Sequence, residues 1–320
     1  MTLRTKLTEL LGIRHPVLLA PMGGTAGGRL AAAVSDAGGL GLIGGGRGDA
    51  EWLEREFAAA GNQRVGCGFI TWGLAKQPEL LDRALTHAPV AVMLSFGDAS
   101  PFFARIKSAG VPVICQVQSL AQAHQVLQQG ADIIVAQGSE AGGHGAVRAT
   151  LPLVPAVVDA VAASGRDVPV VAAGGVADGR GLAAALMLGA AGVLIGTRFH
   201  AAEESLLAQP AKMRIVRGSG DDTLRTKIFD VAVGGDWPQE YTGRVLPNGF
   251  SEKWRGREAA LAADAAELAR YAKAREADDF DTAVIHAGEA IDLVHAIEPA
   301  GAIVARVIAE AEAALTRRFV

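Results

Sequence analysis

The string Gln137-Gly138-Ser139-Glu140-Ala141-Gly142-Gly143-His144 places an imidazole directly after two glycines. Imidazole changes protonation near neutral pH, so it can serve as a general acid or base. Glycines at 142 and 143 let the backbone come close to a bound group. The string follows an apolar run, 132–136, that reads as a buried strand. A loop at the carboxyl end of such a strand is where an α/β barrel carries its chemistry. A glycine turn with an incidental surface histidine would give the same string, so the other motifs must decide.

Two of them point to an anion. Val170-Val171-Ala172-Ala173-Gly174-Gly175 and Gly192-Val193-Leu194-Ile195-Gly196-Thr197 each run from an apolar stretch into glycine. Side-chain-free Gly174 and Gly175 can turn their N–H groups toward an oxyanion, and Gly196 and Thr197 can add amides and a hydroxyl. If these are the last two strands of a barrel, they sit where barrels often bind phosphate. Tight turns between strand and helix would need the same glycines. Other strand ends offer Met22, Gly23 and Gly24, then Gly68 through Thr71, then Gln116 and Gln118, and finally Gln137. Gln116 is an amide in an apolar run, so it is either a satisfied core residue or a partner for a polar ring edge.

The elements that must position these residues follow from periodicity. Apolar, β-rich runs at 16–22, 39–43, 65–70, 90–95, 111–117, 132–136, 168–173 and 192–195 recur roughly every 20 to 25 residues. They lack alternation, as strands buried on both faces do. Helix-like segments lie between them, with an eighth expected at 203–207. The predicted fold is α/β, a (β/α)8 TIM barrel over residues 1–208 with a C-terminal helical cap over 209–320. An open doubly wound sheet fits less well, because the first strand runs into Pro21-Met22-Gly23-Gly24 and not a GxGxxG turn.

Composition narrows the function. With 320 residues, half of them hydrophobic, the chain can bury a large core. A net charge of -4 and the lack of a dense basic patch argue against nucleic acid as a partner. No run approaches the roughly 20 apolar residues of a membrane span, and the first residues do not read as a signal peptide. The expected location is the cytoplasm, and Cys67 and Cys115 are expected as buried thiols. The histidines at 15, 87, 124, 200, 286 and 295 have no metal-ligand spacing, so no metal is expected. Glu140 reads as a scaffold residue, and Asp221-Asp222 as a turn. Apolar surface on the cap would allow a homo-oligomer.

Together these motifs resemble the nitronate monooxygenases, formerly 2-nitropropane dioxygenases, which are FMN-dependent TIM-barrel enzymes. The resemblance rests on HPVLLAPMGG (15–24), VAQGSEAGGHG (135–145) and PVVAAGGVADGRGLAAALMLGAAGVLIGTRF (169–199), and on their order. It covers about residues 12–200 well and the C-terminal third poorly. It implies FMN as cofactor, with Met22, Gly23 and Gly24 by the flavin ring and Gln116 near the pyrimidine edge. Gln137, Gly142 and Gly143 would line the ribityl and ring region, and Ala173, Gly174, Gly175, Gly196 and Thr197 the phosphate. His144 would be catalytic, as base toward nitroalkanes or donor to the nitro group. The implied reaction oxidises alkyl nitronates such as propionate 3-nitronate with O2, giving a carbonyl compound and nitrite. One departure stands out: relatives often carry Asn at the end of the third strand, where this chain has Gly68, with Thr71 as the polar neighbour. The strings 234–238 and 241–244 are candidates to cap the substrate.

Flavin-dependent enoyl reductases and some NADH:quinone reductases share this frame, so an NAD(P)H-dependent reductase of quinones or enoyl thioesters is the alternative. A nucleotide dehydrogenase would need a nucleophilic cysteine after the sixth strand, and none is there. A non-catalytic flavin-binding module would not need His144.

Overall fold

A computed structural model describes residues 3–46 and 49–317. Among them eleven strands form two sheets: β1 (Val17–Leu19), β2 (Leu42–Gly46), β3 (Gly66–Ile70), β4 (Val92–Ser95), β5 (Val113–Val117), β6 (Ile133–Gln137), β7 (Gly143–Gly145), β8 (Val170–Ala173), β9 (Gly192–Ile195), β10 (Leu224–Thr226) and β11 (Thr242–Val245). Eight of them pair in parallel, in the order β1-β9-β8-β6-β5-β4-β3-β2. The circle closes because Leu40, just before β2, bridges Leu18 in β1. The expected (β/α)8 barrel is therefore present.

The barrel interior is filled by Leu18, Met93, Ile114, Ile133, Val135, Val171 and Leu194. An N-terminal helix, Lys6–Leu11, plugs the bottom with Leu7 and Leu11. Its start is fixed by a reciprocal cap between Thr5 and Thr8, and its end by Gly12 at φ 64°. Between strands and helices lies a second, larger core. Both cysteines are buried there as free thiols, and burial pushes each up to about 12, so they stay protonated.

Two expectations need correction. The second strand runs three residues further, through Gly44–Gly46, which carry no side chain for an apolar pattern to show. A Cβ on Gly44 would lie 2.4 Å from the Met22 carbonyl oxygen, so glycine lets β2 approach the β1 loop. Secondly, residues 203–207 form turns and not a helix. The eighth place in the helix ring is taken by Ala300–Thr316, whose Ile303, Val304, Val307 and Ile308 join the outer core.

The intervening residues thus form an excursion between β9 and its helix. Its ends meet where Ala202 bridges Glu298, and Glu204 accepts the Ala300 N–H at 2.9 Å. Buried Arg198 also binds Glu298 at this closure. The excursion holds two small cores, one around Ile215, Leu246 and Ile291 and one around Phe229, Phe250 and Tyr271. It also supplies β10 and β11, which pair antiparallel with β7. No helix among the described residues is long and apolar enough to cross a membrane.

Leu7 is fully buried beneath the barrel. Leu7→Ala is expected to cost about 2–5 kcal/mol of stability. Urea unfolding should show a lower midpoint at unchanged slope, and an unchanged midpoint would contradict the plug.

Candidate active site

The carboxyl ends of the barrel strands and the excursion enclose a cavity of about 800 Å³. That is within the range of small-molecule and cofactor sites. Met22, Gly23 and Gly24 line it from the β1 loop, and Ala173, Gly174 and Gly175 from the β8 loop. Gly174 and Gly175 hold φ of 96° and 73°, which only glycine adopts freely. Their N–H groups donate to no protein acceptor among the described residues, leaving two amides for a ligand. Gly196 and Thr197 complete this wall. Thr197 Oγ1 already accepts the Gly288 N–H at 3.0 Å, so its own proton is available to an anion.

Gly142 and Gly143 line the cavity beside this wall. A Cβ on Gly142 would lie 2.6 Å from Gly288 N and 2.9 Å from Thr197 Oγ1. The histidine loop, the Gly196–Thr197 wall and the excursion touch at that point, and only glycine fits. Glu140 is a scaffold residue: its carboxylate accepts the Thr150 N–H and O–H at 2.9 Å, anchoring the helix Thr150–Ala163.

At the carboxyl ends of β5 and β6, on the cavity side, three glutamines converge. Gln137 Oε1 accepts from Gln116 Nε2 at 3.1 Å and from Gln118 Nε2 at 2.9 Å, while its Nε2 donates to the His144 carbonyl at 3.2 Å. Gln116 keeps its Oε1 without a protein donor among the described residues, at the cavity wall. It can accept from a polar ring edge.

His144 sits on β7, opposite Gly243 of β11. Its Nε2 lies 2.8 Å from Asp230 Oδ1. A carboxylate only accepts, so in the neutral ring the proton is on Nε2 and the lone pair on Nδ1. Trp237 stacks on the imidazole, with ring centroids 3.5 Å apart and planes 6° apart. Phe96 and Trp72 pack edge-on against Trp237 from the β4 and β3 loops. The imidazole is thus gripped on its edge and on one face.

Two further histidines adjoin it. Burial, with help from the nearby His144, His200 and Arg275, pushes His286 down to about 3. Burial likewise pushes His200 down to about 4, against the hydrogen bond of its Nδ1 with the His286 carbonyl. Both are neutral at physiological pH.

Of the residues singled out in the sequence, Met22, Gly23, Gly24, Gln116, Gln137, Gly142, Gly143, His144, Ala173, Gly174, Gly175, Gly196 and Thr197 all line this cavity. Gly68 does not. A Cβ there would lie 2.4 Å from Pro21 Cγ, so its glycine makes room for the β1 loop. Thr71 is buried and does not line the cavity. Sequence reasoning missed Asp230, Tyr271 and Arg275, and set His286 aside as lacking metal spacing; all four line the cavity. No cluster among the described residues could hold a metal ion.

The sequence profile of the nitronate monooxygenase family matches residues 4–65 and 70–310. The chain belongs to that family. A nitronate monooxygenase of Metarhizium robertsii is 36% identical over 94% of this chain and 92% of its own length. A Rhodococcus jostii protein named a 5-hydroxy-7a-methyl-1-oxo-octahydro-1H-indene-4-carboxyl-CoA dehydrogenase is 39% identical over 71% of this chain. The match spans 64% of that relative, and 65% of its Mycobacterium tuberculosis counterpart. Among solved structures, FabK from Thermotoga maritima superposes with a TM-score of 0.83 at 31% identity, covering 97% of this chain and 96% of that one. A nitroalkane oxidase from Streptomyces ansochromogenes gives 0.77 at 27%, covering 97% and 99%. The family consists of oxidoreductases, and flavin dependence is typical of it.

The buried histidines predict a pH effect. His286 has a folded pKa near 3, below the ordinary 6.5 of an unfolded histidine. The unfolded chain therefore takes up a proton that the folded chain does not, and stability falls as pH drops through about 6.5. Between pH 7 and 5 the urea midpoint should fall, and His286→Gln should flatten that fall. An identical pH dependence in the variant would contradict the neutral, buried assignment.

Proposed function

We propose that this protein is an FMN-dependent nitronate monooxygenase, oxidising alkyl nitronates such as propionate 3-nitronate by O2. Two nitronates and one O2 would give two carbonyl compounds and two nitrites, which balances atoms and charge. The observation that carries the reading is the His144–Asp230 pair, stacked under Trp237 on the wall of a glycine-cradled cavity.

The residues present fit FMN. The free amides of Gly174 and Gly175 and the Thr197 hydroxyl would hold its phosphate, and Gln116 would meet its polar ring edge. Bound there, FMN would relay electrons between nitronate and O2. The chain's own residues do the rest. Asp230 holds His144 with Nδ1 free to take a proton from the carbon beside a neutral nitro group. Once protonated, the imidazolium can pair with the oxygens of an anionic nitronate. Trp237 covers one ring face and keeps water from it. Neutral His286, with its ring centroid 5.8 Å away, adds no competing charge.

A second reading is an NAD(P)H-dependent flavin reductase of quinones or enoyl thioesters. It is favoured by the CoA-thioester name of the 39% identical relatives.

Oxygen uptake by the flavin-loaded protein separates the two. With propionate 3-nitronate and no NADH, rapid uptake with nitrite release is expected. His144→Ala should lower kcat with a neutral nitroalkane by about 10²–10⁴-fold. Asp230→Asn should lower it by about tenfold or more, since the wrong tautomer is then allowed. No uptake, together with NADH oxidation on adding an enoyl thioester or quinone, would overturn the reading in favour of the second.

A further inference from the structure

One backbone carbonyl sets the orientation of three side-chain amides beside the cavity. The His144 carbonyl can only accept, so the Gln137 atom that lies 3.2 Å from it is Nε2. Gln137 Oε1 therefore faces the other way, toward Gln116 and Gln118. An amide oxygen takes only donors, so both neighbours must turn their Nε2 to it, at 3.1 and 2.9 Å. Gln116, which lines the cavity, is left presenting Oε1. The carbonyl of His144 thus decides, two hydrogen bonds away, which end of an amide is offered to a ligand.

An orphaned atom shows that this orientation is imposed. Gln118 is 2% exposed, and its Oε1 finds no donor among the described residues. Turning that amide over would set oxygen against oxygen at Gln137. Its backbone is also tied, since the Gln118 N–H donates to Gln122 Oε1 at 2.7 Å. Gln122 in turn donates to the Tyr241 hydroxyl at 3.0 Å. A buried acceptor left unpaired is costly, and here it is the consequence of keeping the relay in one orientation.

We infer that Gln137 is a positioning residue that couples the polar ring edge of the cofactor to the loop carrying His144. The polar edge of a flavin carries one N–H between two carbonyls. Against Gln116 Oε1 that N–H is attracted and either carbonyl is repelled. A donor there holds Gln116 with its Nε2 on Gln137, and so holds Gln137 with its Nε2 on the His144 carbonyl. Hydrogen bonds in such a chain strengthen one another. Cofactor binding and loop order are then linked, and each favours the other by the same factor. The inference rests on the flavin part of the proposed function and is independent of the nitronate substrate.

The test follows nitrogen-labelled FMN by NMR and backbone hydrogen exchange, in the apo-protein and the flavin-loaded protein. In wild type the ring N–H of bound FMN should give a slowly exchanging signal. FMN should also slow backbone exchange at 143–145 by about tenfold. Gln137→Met should lose both effects and bind FMN about tenfold more weakly. Gln137→Glu is nearly isosteric and separates the two halves at about pH 8, where two amide donors keep its carboxylate ionised. It still accepts from Gln116 and Gln118, so the ring N–H should stay protected. It cannot donate to the His144 carbonyl, so FMN should no longer slow exchange at 143–145. A side chain that merely fills space would leave the ring N–H protected in Gln137→Met, and that result would overturn the inference. So would a wild-type loop whose exchange FMN does not change. Failure to take up FMN would sink the flavin reading and this inference with it, whereas FMN bound with a freely exchanging ring N–H would sink the inference alone.

Discussion

One guanidinium holds the site together. Arg225, from β10, donates to the carbonyls of Ser139, Gly145 and Thr242, the first at 3.0 Å. Two of those carbonyls belong to the loop that carries His144, and the third to β11. Burial and the neighbouring Arg244 push Arg225 down to about 10, so it remains charged. Arg244 reaches the same Ser139 carbonyl at 3.0 Å and is balanced by Glu289 at 2.7 Å. Two like charges side by side are tolerated because backbone oxygens and one carboxylate replace the water they lose. The barrel alone leaves the 139–145 loop as an extension beyond β6. It becomes an ordered strand because the excursion supplies a partner strand and two cations that fasten its carbonyls.

From that constraint the rest of the site follows. With β7 fixed against β11, His144 projects where Asp230 and Trp237 can grip it. The His144 imidazole belongs to the barrel by sequence, but its orientation belongs to the excursion. The glycine contacts among Gly142, Gly288 and Thr197 bring the anion wall to the same junction. The imidazole and the glycine-lined wall are thus held in one register.

The barrel was legible in the sequence because parallel strands are continuous apolar runs and their helices recur at a steady pace. The glycine-rich strand ends were legible for the same reason: side-chain-free turns stand out after apolar runs. Gly68 misled because a glycine needed to pass Pro21 reads the same as one that admits a ligand. The helix at Ala300 was legible as a helix but read as part of the cap, because the chain leaves the barrel before completing it and periodicity gives no sign of a return. Asp230, Tyr271 and Arg275 escaped because nothing local marks them. Their role comes from long-range packing that brings separate helices onto one cavity.

The measurement that tests this account most directly is backbone hydrogen exchange in wild type and Arg225→Ala. If Arg225 is what fastens the histidine loop, exchange should quicken together at 143–145 and 242–245, while the barrel strands β4, β5 and β6 stay protected. Unchanged protection at 143–145 in the variant would contradict it, because the loop would then be ordered by the barrel alone.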